Sequence, residues 1–209
     1  MRIFILLSLL ATCYLSPAST TASSPLSVGL EHTLSEVQHV FKQLKNPFQF
    51  SQRHLETLTD DSKYLIDPQT KLPYQTSTQR YIPYYYFPAK NITPSTKTIF
   101  WVGGIHADEF APTLISWRFL QFLIENPEDL PKNHHVIYLP MLNLDGWIDG
   151  YRNHGYPTRR NALRVDLNRS FYDRLALPNY RSQNETELVL DLIEKYSPEY
   201  WIVPHSTLN

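Results

Sequence analysis

Thr98-Ile99-Phe100-Trp101-Val102-Gly103-Gly104-Ile105-His106-Ala107-Asp108-Glu109 decides how the rest of the chain is read. A run of β-branched and aromatic residues reads as a buried strand, and the glycine pair ends it. A strongly apolar helix follows over Leu114 to Ile124, stopping near Asn126-Pro127. His106 and Glu109 are spaced i, i+3 between the two elements, so both side chains can converge on one point from a single turn. Alone, His-x-x-Glu is weak evidence, because an ordinary surface His beside a surface Glu gives the same pattern.

Outward from this stretch the same alternation continues. His135 to Leu139 reads as the next strand, Glu185 to Tyr196 as a helix stopped by Ser197-Pro198, and Tyr200 to Val203 as a further strand. Upstream, Arg80 to Phe87 reads as a strand, with Pro83 suggesting an edge position. Its Tyr84-Tyr85-Tyr86 run fits a strand of amphipathic side chains better than a sugar or peptide platform. Strand, helix, strand, helix, strand is the pattern of an α/β sandwich with a mostly parallel sheet.

The 209 residues suit one domain, and 19 Lys+Arg against 20 Asp+Glu leave a net charge of -1. No basic run is present, so a nucleic-acid partner is not expected. A single cysteine excludes a disulfide-stapled mini-protein, and 42% hydrophobic residues argue against wholesale disorder.

Met1-Arg2 followed by Ile3 to Ala11 and then small residues reads as a secretory signal peptide over residues 1–22. The apolar run falls short of the ~20 residues that cross a bilayer, so no transmembrane segment is expected in the mature chain. Leu10-Ala11-Thr12-Cys13 resembles a lipoprotein box with a poorly fitting Thr12, so plain cleavage is preferred to lipid anchoring at Cys13. Residues 23–79 form an N-terminal helical and irregular segment. Ser23 to Gly29 reads as a linker, and Leu34, Val37, Val40, Phe41 and Leu44 mark a helix stopped by Asn46-Pro47. Beyond it lies irregular chain with at most one short helix.

Five of the six glycines lie between 103 and 155, around polar signatures at strand ends, where open α/β sheets bind ligands. Two segments join the His-x-x-Glu turn: Val165-Asp166-Leu167-Asn168-Arg169-Ser170-Phe171, and Val203-Pro204-His205-Ser206 after the last strand. Together these resemble the zinc carboxypeptidases. Asn143-Leu144-Asp145-Gly146, Thr158-Arg159-Arg160-Asn161 and Ser182-Gln183-Asn184-Glu185-Thr186-Glu187 extend the resemblance in the family's order, over residues 80–209.

The resemblance implies a three-layer sandwich of the phosphorylase/hydrolase-like carboxypeptidase type, with one Zn²⁺ per chain on His106, Glu109 and His205. It implies that Arg159 stabilises the oxyanion, that Asn168 and Arg169 grip a substrate carboxylate, and that Asp166 orients the first His ligand. Arg159 is preferred to its neighbour Arg160, and His134 and His135 are read as strand or loop residues. Arg164 stands where the family usually has Gly. Asn91-Ile92-Thr93, Asn168-Arg169-Ser170 and Asn184-Glu185-Thr186 match a glycosylation sequon that is common by chance.

Within the family, Gly-Gly-Ile-His, Thr-Arg-x-Asn and Asp-Leu-Asn-Arg are most similar to the murein peptide amidases. That likeness implies a peptide or peptidoglycan-peptide substrate cut at the γ-D-glutamyl to diaminopimelate bond, and a monomer in the periplasm or outside the cell. The family's general base is a Glu on a strand beyond the third metal ligand, and the sequence ends at Asn209. The expectation is therefore a carboxypeptidase domain incomplete at its C-terminus, with little turnover from residues 1–209. The competing readings are a non-catalytic zinc- or peptide-binding remnant, and a deacylase resembling aspartoacylase and succinylglutamate desuccinylase.

Overall fold

The computed structural model describes residues 24–45, 48–60, 62–171 and 182–206. The signal peptide, Cys13 and the Asn46-Pro47 helix stop fall outside the described residues. No described helix is long and apolar enough to cross a membrane.

Five strands form one open mixed sheet: β1 (Ser62–Lys63), β2 (Tyr84–Phe87), β3 (Lys97–Val102), β4 (His134–Leu139) and β5 (Tyr200–Ile202), in the order β1-β2-β4-β3-β5. β4, β3 and β5 run parallel, while β2 is antiparallel to both β4 and β1. The two residues of β1 take the outer position that Pro83 suggested for β2, so β2 lies one place inside the edge.

The helices are α1 (Pro25–Gln43), α2 (Gln52–Asp60), α3 (Phe110–Glu125), α4 (Leu144–His154) and α5 (Asn184–Tyr196). α3 covers the sheet face that presents Trp101 and Tyr138, with Trp101 and Phe119 ring centroids 5.2 Å apart. α5 covers the opposite face, where Tyr196 meets Tyr84 at 2.9 Å between hydroxyls. Helices on both sides of the sheet make the three layers. Tyr86 is stacked between His135 and Tyr196, so the tyrosine run is structural.

The helices differ from the reading of the sequence in three places, one of them the start of α3 at Phe110 rather than Leu114. Residues 25–29 are not linker but the first turns of α1: Pro25 takes the first helical position, and Ser24 Oγ accepts the Ser27 N–H at 3.2 Å. α4 has no strong periodicity and two internal glycines, yet it carries caps at both ends. Asn143 Oδ1 accepts the Gly146 N–H at 2.8 Å, and Gly155 closes the helix at φ 78°. α1 buries Leu30, Leu34, Val37 and Phe41 and meets this helix through Phe41 and Val37, with Phe41 and Trp147 rings 4.7 Å apart.

Arg80 ties the same region together from the side. Its guanidinium is nearly buried and reaches Glu36 of α1 at 3.0 Å, and Asp145 and Asp149 of α4 at 2.8 and 2.7 Å. Thr76 and Thr78 hydroxyls add hydrogen bonds to Asp145, which is fully buried. Three carboxylates around one arginine are tolerable here because hydrogen bonds take up their oxygens.

Candidate metal centre

The sheet brings the separated motifs to one edge. β3 and β5 pair in parallel, with Trp101 opposite Ile202, so the segments leaving their carboxyl ends emerge side by side. Gly103 leads the first segment out, and a Cβ there would meet Ser116 Oγ at 2.2 Å and the Pro140 carbonyl at 2.4 Å. Gly104 then turns the chain at φ 60°, which favours glycine. The turn buries His106 and leaves Glu109 at the N-cap of α3, its carboxylate directed into the cluster rather than onto the helix.

His106 Nδ1 lies 2.8 Å from Glu109 Oε1, and His205 Nδ1, 96 residues further on, lies 3.2 Å from Glu109 Oε2. The Ser206 N–H donates to Glu109 Oε2 at 2.7 Å, a contact that no side-chain motif announces. On its other side His106 presents Nε2 to Asp166 Oδ1 at 3.0 Å. Asp166 Oδ2 accepts from Arg159 Nε at 3.1 Å, and Arg159 Nη1 approaches Glu109 Oε1 at 3.4 Å. His106, Glu109, Asp166, Arg159 and His205 therefore form one connected cluster drawn from three stretches of chain.

Electrostatics keep the carboxylates charged. Burial alone raises the Glu109 carboxyl, but the Ser206 N–H, His106 and His205 outweigh it and hold it below the usual range. Asp166 behaves likewise: His106 and Arg159 overcome the burial effect and hold it low. Burial pushes Asp108, between the two cluster residues, upward, and its Oδ1 has no partner among the described residues.

Arg160 turns away, donating from Nη1 to the Arg164 carbonyl at 2.9 Å, whereas Arg159 faces the cluster. Asn168 lies on the short 3-10 turn after Asp166 and donates its N–H to Asp166 Oδ1 at 3.0 Å. With His205, Phe171, Val189 and Trp201 it lines an apolar cleft of about 240 Å³ beside the cluster. Arg169 follows on the same turn and is exposed. His134 and His135 lie in β4.

The sequence matches the zinc carboxypeptidase family over residues 75–206, more than half of its length. The chain belongs to that family. Among solved structures it is similar to bovine thrombin-activatable fibrinolysis inhibitor in complex with tick carboxypeptidase inhibitor. That match has a TM-score of 0.56 and 16% identity, and covers 85% of this chain and 60% of that one. A putative carboxypeptidase A from Shewanella denitrificans matches with a TM-score of 0.54 and 19% identity, over 74% of this chain and 39% of the other. Murein-tripeptide amidase MpaA from Escherichia coli O157 matches at 22% identity over 64% and 59%, with a TM-score of 0.40 that bears on neither fold nor branch. The chain thus spans 60% or less of the length of each of these structures. No curated protein matches the sequence.

The zinc carboxypeptidases depend on zinc, and the donor set here suits that ion. Two imidazoles and a carboxylate are a zinc combination, and their donor atoms lie within 4.8 Å of one another. The 2.8 and 3.2 Å separations are near the ~3.3 Å edge of a tetrahedron with ~2.0–2.1 Å bonds. Asp166 behind His106 completes the carboxylate–histidine arrangement common at such sites.

Proposed function

We propose that this zinc carboxypeptidase relative hydrolyses a peptide or amide bond next to a free carboxylate, in peptidoglycan peptides outside the cytoplasm. The observation that supports it most is Asp166, whose two oxygens hold His106 and Arg159 at once. One residue thereby fixes both a metal-binding ring and a cation beside it.

His106, Glu109 and His205 would hold the ion, which when bound supplies a Lewis acid and a water of lowered pKa. With its Nε2 proton directed at Asp166, His106 keeps the Nδ1 lone pair turned into the cluster. Arg159 uses Nε on Asp166, and its Nη2 makes no hydrogen bond to a described residue, so that N–H pair can meet charge developing on a carbonyl oxygen. Its side chain is 37% exposed, open enough to reach a substrate. Asn168, on the cleft wall beside His205, and Arg169, an exposed residue of the same turn, receive the substrate's carboxylate, for which an arginine fork is the matching shape. The apolar leader at residues 3–11 and the murein-amidase-like motifs support the peptidoglycan substrate and the exported location.

The test uses the protein made from its native reading frame, loaded with zinc and given a γ-D-glutamyl-diaminopimelate peptide. Diaminopimelate release that chelation abolishes, and that is lost when the peptide's adjacent carboxylate is amidated, is expected. Equal hydrolysis of free and amidated peptides would remove the carboxylate requirement, and hydrolysis that survives chelation would remove the metal.

A further inference from the structure

Between Arg159 and Asp166 the chain makes a tight loop whose centre is a side chain with no place in the chemistry so far. Asn161 is 4% exposed and uses every polar group it has. Its N–H donates to the Val165 carbonyl at 3.0 Å and its carbonyl accepts the Arg164 N–H at 2.9 Å. Its Oδ1 accepts the Leu163 and Val165 N–H groups at 3.1 and 3.0 Å. Its Nδ2 leaves the loop altogether, donating to Gln183 Oε1 at 2.9 Å and Glu185 Oε1 at 3.3 Å at the start of α5. Gln183 and Glu185 are each 2% exposed, so this join is dry.

The loop needs such a brace. Arg164 sits at φ 61°, a left-handed conformation that costs a non-glycine residue about 1 kcal/mol or more. Two residues before Asn161 stands Arg159, and one after Val165 stands Asp166. Fixing positions 161 to 165 therefore sets the 3.1 Å contact between that pair and, through Asp166, the ring of His106.

We propose that Asn161 is a positioning residue: by bolting the Arg159–Asp166 loop to Gln183, the cap of α5, and to Glu185 in its first turn, it sets the orientation of His106 and so the zinc affinity of the centre. The proposal rests on the zinc reading above, and the join has a direction that can be reversed. Asn161 donates and Glu185 accepts. At pH 8, above the value of about 7 to which burial raises the Glu185 carboxyl, Asn161→Asp keeps the acceptor for Leu163 and Val165 but sets two carboxylates face to face. Adding Glu185→Gln restores one donor and one acceptor with their places exchanged, the Gln183 amide turning to donate to the new aspartate in place of its 3.2 Å bond to the Ser182 carbonyl.

The experiment measures Zn²⁺ affinity by competition with a chromophoric chelator. Asn161→Asp is expected to weaken it by about 10- to 100-fold, the usual effect of losing an outer partner of a metal site. The double variant is expected to return to within about threefold of the native value. Tyr74→Phe, which removes the 2.6 Å bond to Asp191 elsewhere on α5, is expected to leave affinity unchanged, separating positioning from general loosening of the helix. Unchanged affinity in Asn161→Asp, an equal loss in Tyr74→Phe, or a double variant that folds without recovery overturns the proposal, as does a double variant that fails to fold. Should the single variant not fold, recovery of fold and affinity by the double supports it. If the native protein holds no zinc, the zinc reading fails by itself. Amide exchange of Leu163 and Val165 in metal-free protein then decides the positioning: faster in the single variant and restored in the double, or unaffected and the proposal is wrong.

Discussion

Asp166 and His106 meet at 3.0 Å across 60 residues of sequence, and the aspartate's second oxygen holds Arg159 at 3.1 Å. A single carboxylate thus links an imidazole of the donor cluster with the arginine beside it. Asp166→Ala is expected to lower zinc affinity about 10- to 100-fold. Arg159→Ala, which leaves the three donor residues in place, is expected to leave affinity within a few-fold of native. Chelator competition on the two variants checks this; equal losses would show that Asp166 acts on the metal through Arg159 rather than through His106.

The donor residues themselves should be far less tolerant. Glu109 faces both imidazoles, so Glu109→Ala together with His205→Ala leaves one donor of three. Metal analysis after purification with limiting zinc should find about one ion per native chain and essentially none in the double variant. Full zinc content in that variant would place the ion elsewhere.

Arg80 offers a test of stability outside the His106–Glu109–His205 cluster. Its side chain is 10% exposed among Glu36, Asp145 and Asp149, so Arg80→Met leaves three carboxylates without their shared cation. A loss of about 3–5 kcal/mol is expected, the range for breaking a buried ion pair from one side. Urea unfolding at neutral pH measures it. A loss below 1 kcal/mol would mean that water replaces the arginine at little cost.

Glu185 predicts a pH effect of the opposite sign to the usual carboxylate. Burial, helped by Asp145, pushes its carboxyl up from 4.5 to about 7. Between those values the folded chain keeps a proton that the unfolded chain has released, so stability falls as pH rises from about 4.5 to about 7 and then levels. The fall amounts to about 3 kcal/mol at ~1.4 kcal/mol per pKa unit. In Glu185→Gln that slope should vanish, while Glu36 and Asp67, both held low, still weaken the fold in more acidic solution. Denaturant midpoints from pH 4.5 to 8 compare the two proteins.

The parallel core was legible because β3 and β4 are dense in β-branched and aromatic residues, and α3 is apolar through most of its length. The His106–Glu109 pair was legible for a local reason: both belong to one turn. α4 was missed because Gly146 and Gly150 weaken its pattern and its polar residues serve tertiary contacts, Asp145 and Asp149 reaching back to Arg80. Its caps, Asn143 and Gly155, were the available signal. β1 has two residues and carries no pattern to find. What Asn161 and the Ser206 amide hold was not legible, although Asn161 falls within a quoted motif, because their partners lie 24 and 97 residues away and their chemistry is generic.

The packing of α1 on α4 constrains how the chain reaches this state. The Trp147 indole N–H donates to the Val37 carbonyl across 110 residues, and the Phe41 ring is seated on the same indole. In the nascent chain this part of the apolar stripe of α1 therefore lacks its α4 partner until residue 147 has been made. Closing so long a loop is slow compared with forming the helix itself. The docking of α1 on α4 is thus expected late in folding, although α1 is early in synthesis.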